Sequence, residues 1–468
     1  MLEQHSYAKR ISNDLAGVFW QPSQMASCFI SSIPMNIAIV GAGYAGMAAA
    51  VTLAARNIPV TVFETSKQLG GRARGLWHNN TQLDNGQHIL LGCYRHTLQL
   101  IEQVGGNIEN DFLRLPLQLT LHHRFSFKAS PLPAPLHILL GLISAQGLSF
   151  TQKLSATRFM LAMRRIQFSL PSDISAIELL IGHQQDQELI SLLWQPICIS
   201  ALNTPLHLAS AKILLNVLRD SLNTSRADSD MLLPRLDYSA LFPDRAAKYL
   251  QQRHGNLYTS SSVEAIIPRD HAIELTVNAS NDNAPQTHLF SHVICAASPT
   301  ATARLLQSVP QLAPLAREIS AIPNQPIYTV YLQYPAHVQL PQPMLGLNQC
   351  HTQWLFDKGQ ISSQHGLIAA VISAEGLHQE LSQENLAQKV IHELHEQMSI
   401  TETPLWFKVI AEKRATFSCE VNLSRPPHIT AIKNLLLAGD YTAGEYPATL
   451  ESAVISGMRC ANEVILDD

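Results

Sequence analysis

Asn-Ile-Ala-Ile-Val-Gly-Ala-Gly-Tyr-Ala-Gly, residues 36–46, is a short apolar strand that leads directly into a Gly-x-Gly-x-x-Gly turn. An apolar helix is predicted from Met47 to Ala55, followed by a second strand over residues 60–63. In such a βαβ unit the first glycine permits a tight turn, the second lets the backbone approach a pyrophosphate, and the third allows close helix–strand packing. We therefore predict a dinucleotide site formed by Gly41, Gly43, Ala45 and Gly46.

An acidic residue ends the second strand of this unit. Glu64 follows Gly41 by 23 positions, where a carboxylate can accept hydrogen bonds from a ribose 2′-hydroxyl. The helix N-terminus adds free N–H groups and a positive dipole end for the phosphates. Since the carboxylate argues against a 2′-phosphate, the pattern favours an unphosphorylated adenine dinucleotide. The alternative, a glycine turn in an ordinary α/β protein, is the weaker interpretation because the βαβ unit is complete.

Two further stretches distinguish FAD from NAD. Gly70-Gly71-Arg72-Ala-Arg74 and Leu83-Asp84-Asn85-Gly86-Gln87-His88 resemble the flavoprotein family of amine oxidases, phytoene desaturases and protoporphyrinogen oxidase. The resemblance implies FAD as the cofactor, with Gly71 and Arg72 at its pyrophosphate. A backbone turn plus a guanidinium also suits a diphosphate chemically. Arg74 is equally compatible with a solvated surface charge.

The C-terminal region has the matching motif of that family. Residues 434–438 are predicted to be a buried strand, Gly439 and Asp440 follow it, and a helix is expected over residues 449–457. The resemblance implies that Asp440 binds the ribityl or phosphate part of FAD and that the helix start faces the isoalloxazine. It also implies adenine contacts through the backbone of Val263. A plain turn role for Asp440 is the alternative. The resemblance thus implies six further cofactor-binding residues, one in the middle of the chain and five near its C-terminus: Val263, Gly439, Asp440, Ala448, Thr449 and Leu450.

These motifs predict an α/β fold with a discontinuous FAD/NAD(P)-binding Rossmann-like domain and a mixed, largely helical substrate lobe. We expect the FAD-binding domain to comprise three separate parts of the chain, with a substrate-facing or membrane-facing helical lobe and a second part of the substrate domain between them. The expected FAD-binding parts are residues 35–110, 241–300 and 421–468; the helical lobe is 111–240, and the rest of the substrate domain is 301–420.

Composition excludes several classes of function. The chain has 468 residues and a formal net charge of −4, which gives no reason to expect nucleic acid as a partner. Its seven cysteines show no CxxC spacing, so we expect a reducing, cytoplasmic setting, no disulfide framework and no metal site. Residues 1–34 lack the apolar segment of a secretory signal, and we expect a disordered N-terminal extension before Met35.

One apolar run raises the question of membrane contact. Residues 131–150 contain Leu-His-Ile-Leu-Leu-Gly-Leu-Ile at 136–143, too short to span a bilayer. A core helix is the favoured interpretation, and a helix lying in the membrane interface is the alternative. The second interpretation implies peripheral attachment to the inner face of the membrane.

Longer stretches narrow the resemblance to one branch of the superfamily. Asn-Gly-Gln-His at 85–88, Leu-Leu-Pro-Arg at 232–235 and Asp-Tyr-Thr-Ala-Gly at 440–444 resemble the hydroxysqualene dehydroxylases of bacterial hopanoid gene clusters. That resemblance implies reduction of hydroxysqualene, an allylic C30 alcohol, to squalene by reduced FAD with loss of water. It further implies a hydrophobic isoprenoid substrate and contact with neighbouring squalene-pathway enzymes.

Loss of a hydroxyl group needs a positioned proton donor. We predict His88, Asp230 and Arg235 as catalytic residues, with Asp84 a further candidate. His88 could instead only orient its loop, and Asp230 and Arg235 could form a structural ion pair or a cap.

Other functions stay open. Tyr446 and Glu451 lie where the closing helix is expected to meet the flavin, although Glu451 could serve only the helix dipole. The rival functions are a phytoene desaturase-type isoprenoid desaturase, a flavin amine oxidase with Tyr441 and Tyr446 as its aromatic pair, and a non-catalytic FAD-binding scaffold.

Overall fold

The computed structural model describes residues 35–280 and 284–466. The N-terminal extension expected at residues 1–34 lies outside the described residues. Residues 35–466 belong to one compact unit. The domain boundaries proposed from the sequence therefore remain predictions.

The strands of the described residues form five sheets. In chain order they are β1 Ile37–Val40, β2 Val60–Phe63, β3 Gly75–His78, β4 Thr81–Asp84, β5 Leu90–Leu91, β6 Phe112–Leu115, β7 Gln118–Leu121, β8 Phe125–Lys128, β9 Met231–Pro234, β10 Asn256–Tyr258, β11 Ser261–Pro268, β12 Ile273–Ala279, β13 Gln286–Phe290, β14 His292–Cys295, β15 Asn324–Gln333, β16 Met344–Gly346, β17 Trp354–Asp357, β18 Leu367–Ser373, β19 Trp406–Phe417 and β20 Leu435–Leu437.

The helices of the same residues are mostly short, and one π-helical segment, Ile190–Trp194, joins two of them. The α-helices are α1 Tyr44–Ala54, α2 Arg95–Gln103, α3 Ile108–Asp111, α4 Leu136–Ser144, α5 Phe150–Arg165, α6 Ala176–Gly182, α7 Gln187–Leu189, α8 Gln195–Leu202, α9 Ala211–Leu222, α10 Tyr238–Leu241, α11 Pro243–Gln251, α12 Pro299–Gln307, α13 Ala313–Ser320, α14 Lys358–Ser362, α15 Gln383–Met398 and α16 Leu450–Leu466.

The nucleotide-binding motifs sit on a parallel sheet with the strand order β10-β2-β1-β14-β20. Its central strands β1 and β2 are buried throughout, and Ile37 pairs with Val60 on one side and His292 on the other. The five strands come from the three separate stretches of chain expected to build the FAD-binding domain. This arrangement confirms the predicted α/β class, and it brings β1 and β20 into one sheet with β14 between them.

Helices α1 and α16 cover this sheet and pack against each other. A Cβ atom on Gly457 would lie 2.0 Å from the carbonyl oxygen of Ala45, so only glycine permits the close approach. The sequence-based expectation that the last helix ends at Gly457 is therefore wrong. Gly457 lies inside α16, which continues to Leu466, because this glycine serves helix–helix packing rather than helix termination. The first helix also begins earlier than expected, at Tyr44.

A second, seven-stranded sheet is built outside the segments expected to form the FAD-binding domain. Its order is β19-β15-β18-β17-β16-β7-β8, so two strands of the supposedly helical lobe complete a sheet built mainly from residues 324–417. Strand β9 of the same lobe pairs with β5 on one side and with β6 on the other. The sequence did not predict these strands, because four-residue strands give weak periodic signals and their partners lie far along the chain.

The apolar run at 136–143 forms most of α4, which buries only one of its sides. His137, Gly141 and Leu142 face the interior, while Leu136, Leu140 and Ile143 are exposed. The expectation of an ordinary core helix is thus only half right. Among the helices described here, none has both the length and the apolar character required to cross a bilayer.

Candidate functional site: a flavin site between the two ends of the chain

Two glycine turns face each other at the end of β1. Gly43 and Gly70 form an isolated parallel bridge, and the Gly70 N–H donates to the carbonyl of Ala42 at 2.9 Å. A Cβ atom on Gly43 would meet nothing closer than the Cα of Gly71 at 3.9 Å. The start of α1 has no side-chain cap. This arrangement leaves bare backbone and a helix N-terminus where a diphosphate can approach, and it fits the pyrophosphate of FAD.

The third glycine of the turn has the packing role expected of it. A Cβ atom on Gly46 would lie 1.9 Å from the carbonyl oxygen of Gly41. Any side chain there would push α1 away from β1. The next residue after Gly41 in the turn, Ala42, is fixed by Glu64, whose Oε2 accepts its N–H at 2.7 Å.

Glu64 also accepts the N–H of Ser66 through Oε1, at 2.8 Å. One backbone donor on each oxygen fixes the carboxylate at the end of β2, and each oxygen keeps lone-pair capacity for a ribose hydroxyl. Val263 lies close to this end, since the Ser261 N–H donates to the carbonyl of Glu64 at 2.9 Å. The β11–β12 register shifts between Val263 and Ala265. The backbone there departs from regular pairing.

The N-terminal and C-terminal motifs meet through an ion pair. Arg72 Nη2 lies 2.5 Å from Oδ1 of Asp440, and Arg72 Nη1 donates to the carbonyl of Ala415 at 2.8 Å. Asp440 is almost completely buried, and the preceding Gly439 donates its N–H to Ser456 of α16. The structure therefore brings together two residues that are 368 positions apart. Arg74 donates to the carbonyl of Gly71 and supports the turn instead of being a free surface charge.

The loop that follows β4 carries His88. Its ring packs edge-on against Tyr238, with 5.0 Å between the ring centroids, and the Tyr238 hydroxyl donates to the His88 carbonyl at 2.7 Å. Burial, and then the positive charge of Arg72, lower the pKa of His88 to about 4. His88 is therefore a neutral imidazole near pH 7. The effect of the Arg72 charge on the pKa of His88 indicates that His88 lies near the paired end motifs.

A buried cation beside this loop escaped the sequence analysis. Lys358, the first residue of α14, lies with its Nζ 3.9 Å from Oδ2 of Asp84 and 3.5 Å from the side-chain oxygen of Gln87. Burial raises the pKa of Asp84 to about 6, although Lys358 and the Tyr238 N–H oppose that shift. Burial likewise lowers the pKa of Lys358. A lysine directly after the apolar strand β17 was the available sequence signal, but nothing local indicated its partner.

Asp230 and Arg235 flank β9 and do not form the ion pair considered from the sequence. Asp230 instead pairs with Arg114, 3.1 Å from Oδ2 to Nη1. Arg235 is exposed and donates to the carbonyl of Ile361. The two side chains leave opposite ends of a four-residue strand, which separates them. Their catalytic roles stay predictions.

A second group of polar atoms surrounds Asp230. Within the described residues, Asp230 Oδ1 and both ring nitrogens of His137 are buried without a hydrogen-bond partner. Burial and Arg226 lower the pKa of His137, whereas the charge of Asp230 raises it. His137 and Asp230 therefore interact electrostatically. Buried polar atoms without partners are uncommon in native proteins, and here they provide capacity for a polar group of a ligand.

Hydrogen bonds fix the start of α16 and the loop that precedes it. Thr449 accepts the N–H of Ser452 and caps α16, which places Ala448, Thr449 and Leu450 next to the Asp440 loop. Arg425, missed by the sequence analysis, donates to the carbonyls of Asp440, Gly444 and Tyr446 and fixes that loop.

The two polar residues considered at this end have structural partners. Glu451 accepts the backbone N–H groups of His96 and Thr97 at the start of α2. It therefore caps a neighbouring helix. Tyr446 donates its hydroxyl to Asp220 at 2.7 Å.

The parallel sheet, the paired glycine turns and the partly buried Arg72–Asp440 contact define a flavin-binding protein. The family model for flavin containing amine oxidoreductase matches residues 44–465. The chain belongs to that family, and FAD is its cofactor. The residues predicted to hold FAD when it is bound are the glycine turns at 41–46 and 70–71, with Glu64 expected at the ribose, Arg72 at the pyrophosphate and Asp440 at the ribityl or phosphate part.

The similar proteins include two kinds of enzyme that act on isoprenoids and several solved structures of the same fold. A hydroxysqualene dehydroxylase of Sinorhizobium fredii is 26% identical over 442 residues, 92% of this chain and 98% of that protein. A zeta-carotene desaturase of Synechocystis sp. is 22% identical over 489 residues, 92% of this chain and 97% of that protein. The solved structure of an oxidoreductase from Methanosarcina mazei has a TM-score of 0.74 at 14% identity, covering 93% of this chain and 100% of that one.

Proposed function

We propose that this flavoprotein reduces hydroxysqualene to squalene, with reduced FAD as the hydride source. The observation that carries the proposal is the similarity along nearly the whole chain to a hydroxysqualene dehydroxylase, at 26% identity against 22% for the zeta-carotene desaturase. The branch-specific stretches around His88, Arg235 and Asp440 support the same choice. Membership in the family defines only a flavin-dependent oxidoreductase.

The reaction sets clear demands on the protein. The allylic C–O bond breaks, the hydroxyl takes up a proton and leaves as water, and the carbon receives a hydride to form a new C–H bond. FAD in its reduced form supplies that hydride when bound. The chain itself must orient the carbinol carbon, hold a proton near the hydroxyl and exclude water that would recapture a delocalised cation.

The residues beside His88 are suited to hold that proton. Because the pKa of His88 is lowered to about 4, its imidazole is neutral at pH 7 and can hydrogen-bond to a hydroxyl but is a poor acid. The buried pair of Asp84 and Lys358 lies at the same loop, where burial raises the pKa of Asp84 to about 6 and lowers the pKa of Lys358. We assign His88 to hydroxyl positioning or proton relay and the pair to proton supply.

Asp230 offers an alternative position for the hydroxyl. Its buried Oδ1 and the neighbouring His137 ring have hydrogen-bonding capacity that the protein leaves unused. If the hydroxyl binds there, Asp230→Asn should lower turnover while His88→Gln should not. The opposite result would support the His88 assignment.

An isoprenoid desaturase is the second candidate, supported by the similarity to zeta-carotene desaturase along nearly the whole chain. It would use the same flavin site with the hydride moving from substrate to cofactor. An amine oxidase has less support. Of the two tyrosines considered for an aromatic pair, Tyr441 is fully buried with its hydroxyl on Thr302, and Tyr446 is held by Asp220.

Anaerobic assays separate the candidates. Enzyme reduced with dithionite should convert hydroxysqualene to squalene in a single turnover, detected by lipid extraction and mass spectrometry. Oxidised enzyme should leave phytoene and zeta-carotene unchanged. Desaturation of either carotene by oxidised enzyme, with no reduction of hydroxysqualene, would contradict the proposal in favour of a desaturase. A flavin that reacts with none of these lipids would favour the non-catalytic scaffold.

A further inference from the structure

Helix α4 presents an apolar stripe to the outside of the protein. Leu136, Leu140 and Ile143 follow one another at helical spacing and are 48%, 42% and 55% exposed. The following helix α5 begins with Phe150, which is 80% exposed. Single exposed apolar side chains are common, but a surface helix normally turns polar residues outward. A stripe of this kind indicates contact with something apolar.

The sequence around this stripe carries charge of one sign only, although Asp186 and Glu188 of a later segment accept hydrogen bonds from Gln152 in the first turn of α5. Residues 112–172 contain no aspartate or glutamate, although the whole chain has a formal net charge of −4. The basic residues in that span are Arg114, Arg124, Lys128, Lys153, Arg158, Arg164 and Arg165. Arg114 is paired with Asp230. The span as a whole is strongly basic in an acidic protein.

Contacts place several of these cations beside α4. Lys153 donates its ammonium group to the carbonyl of Ile143 at 2.8 Å, at the end of the helix. The backbone of Lys128 packs against Gly141, where a Cβ atom would lie 2.6 Å from the Lys128 carbonyl. Arg124 lies in the same way against Gly147. The ammonium group of Lys153 therefore lies at the C-terminal end of the stripe, and the backbones of Lys128 and Arg124 pass next to α4 and the residues that follow it.

We propose that α4 and the first turn of α5 dock the protein on an anionic lipid bilayer. The apolar side chains would enter the boundary between headgroups and acyl chains, and the surrounding cations would face lipid phosphates. A second copy of the chain is the poorer occupant, since a two-fold contact would place this basic surface against itself. The proposal does not depend on the substrate assignment, but it would give the flavin site access to a lipid dissolved in the membrane.

Vesicle flotation with the full-length holoprotein tests this surface. Binding to vesicles with roughly 30% phosphatidylglycerol should exceed binding to pure phosphatidylcholine by about tenfold. Raising the salt to about 0.5 M should remove most of that difference.

Two variant sets test the two components of the surface. Leu136→Ser/Leu140→Ser/Ile143→Ser should lower vesicle binding about tenfold or more, since each exposed side chain adds apolar area to the bilayer contact. Lys128→Glu/Arg158→Glu/Arg165→Glu should abolish the preference for anionic vesicles. The matched control Leu289→Ser/Leu377→Ser/Leu405→Ser removes three leucines from other surfaces, together more exposed than the three α4 residues, and should bind like the wild type. Flavin content and melting temperature should match the wild type in all three.

Three results would overturn the proposal. They are failure of the wild type to bind anionic vesicles at low salt, unchanged vesicle binding by the α4 variant, and a wild-type dimer that only the α4 variant dissociates. Turnover of detergent-dispersed hydroxysqualene keeps the two proposals apart. The α4 variant should retain turnover of the detergent-dispersed substrate and lose turnover only of the vesicle-embedded substrate. If the substrate assignment is wrong, neither form of hydroxysqualene should be turned over by the wild type or by any variant.

Discussion

The glycine turns at the end of the parallel sheet and the α4–α5 surface differ in what fixes their roles. At the turns, backbone geometry decides the chemistry, because Gly46 and Gly43 sit where a side chain would collide or would fill the cofactor's space. At α4–α5, no single residue is geometrically required, and the role follows from which side chains remain outside. The glycine turns tolerate almost no substitution. At the α4–α5 surface, each exposed side chain adds a small part of the binding free energy, so single substitutions have small effects.

The site around His88 combines both kinds of dependence. Among the variants proposed here, those at this site should have the largest effects on turnover. His88→Ala should keep FAD yet lower turnover of the reduced enzyme by roughly 10²–10⁴, the usual range when a general acid or its relay is lost. Single-turnover kinetics with hydroxysqualene measure this. Wild-type rates would assign His88 to loop structure and direct attention to Asp84, Asp230 and Arg235.

Removal of Arg72 tests the contact that joins the chain ends. Arg72→Ala leaves the buried Asp440 carboxylate unpaired, and a third of the Arg72 side chain is exposed, which moderates the cost. We expect FAD affinity to fall by about 2–4 kcal/mol, roughly 30- to 1,000-fold in Kd. Fluorescence titration of apoprotein with FAD measures it. Lys67→Ala, an exposed cation nearby, is the control and should bind like the wild type.

Glu64→Ala should weaken the adenosine end. Loss of the carboxylate removes its ribose contacts and frees the N–H groups of Ala42 and Ser66, at a cost on the order of 1.5–3 kcal/mol in FAD affinity. Glu64→Gln keeps an acceptor oxygen and should lose less. Equal losses for both variants in the same titration would mean that the charge, and not the hydrogen-bond geometry, matters at this position.

The lowered pKa of His88 predicts a specific pH dependence of stability. The folded state keeps this imidazole neutral down to about pH 4, whereas the unfolded chain protonates it near pH 6.5, so the unfolded state binds more protons between those values. Acid therefore destabilises the fold through His88, by about 2–3 kcal/mol near pH 4.5. The melting temperature of His88→Gln relative to the wild type should be highest near pH 4.5 and decline toward pH 7. A constant difference across that range would contradict the shift.

The smallest effect is expected from the N-terminal extension. A chain that begins at Met35 should retain its flavin and its melting temperature, since residues 1–34 precede the first strand and show no pattern that could pack against it. Absorbance of bound flavin and thermal unfolding are the measurements. Loss of flavin on truncation would give the extension a structural role.

The sequence by itself determined the nucleotide-binding region. The turn at 41–46, Glu64 at the end of β2 and Gly439-Asp440 after β20 were readable because each depends on local geometry that few residue types satisfy. The strands β1 and β2 appear at their predicted positions for the same reason. Periodicity in a buried parallel strand and a glycine turn are both short-range signals.

Only the tertiary structure decided which distant residues meet. Lys358 beside Asp84, Arg114 in place of Arg235 as the partner of Asp230, and Arg425 across the 440–446 loop are all contacts between separate parts of the chain. The exposure of one side of α4 likewise depends on the tertiary structure. The sequence of an apolar helix does not show whether neighbouring elements cover both of its sides or only one. Local patterns carry no information about such pairings, which depend on how the sheets and helices pack together.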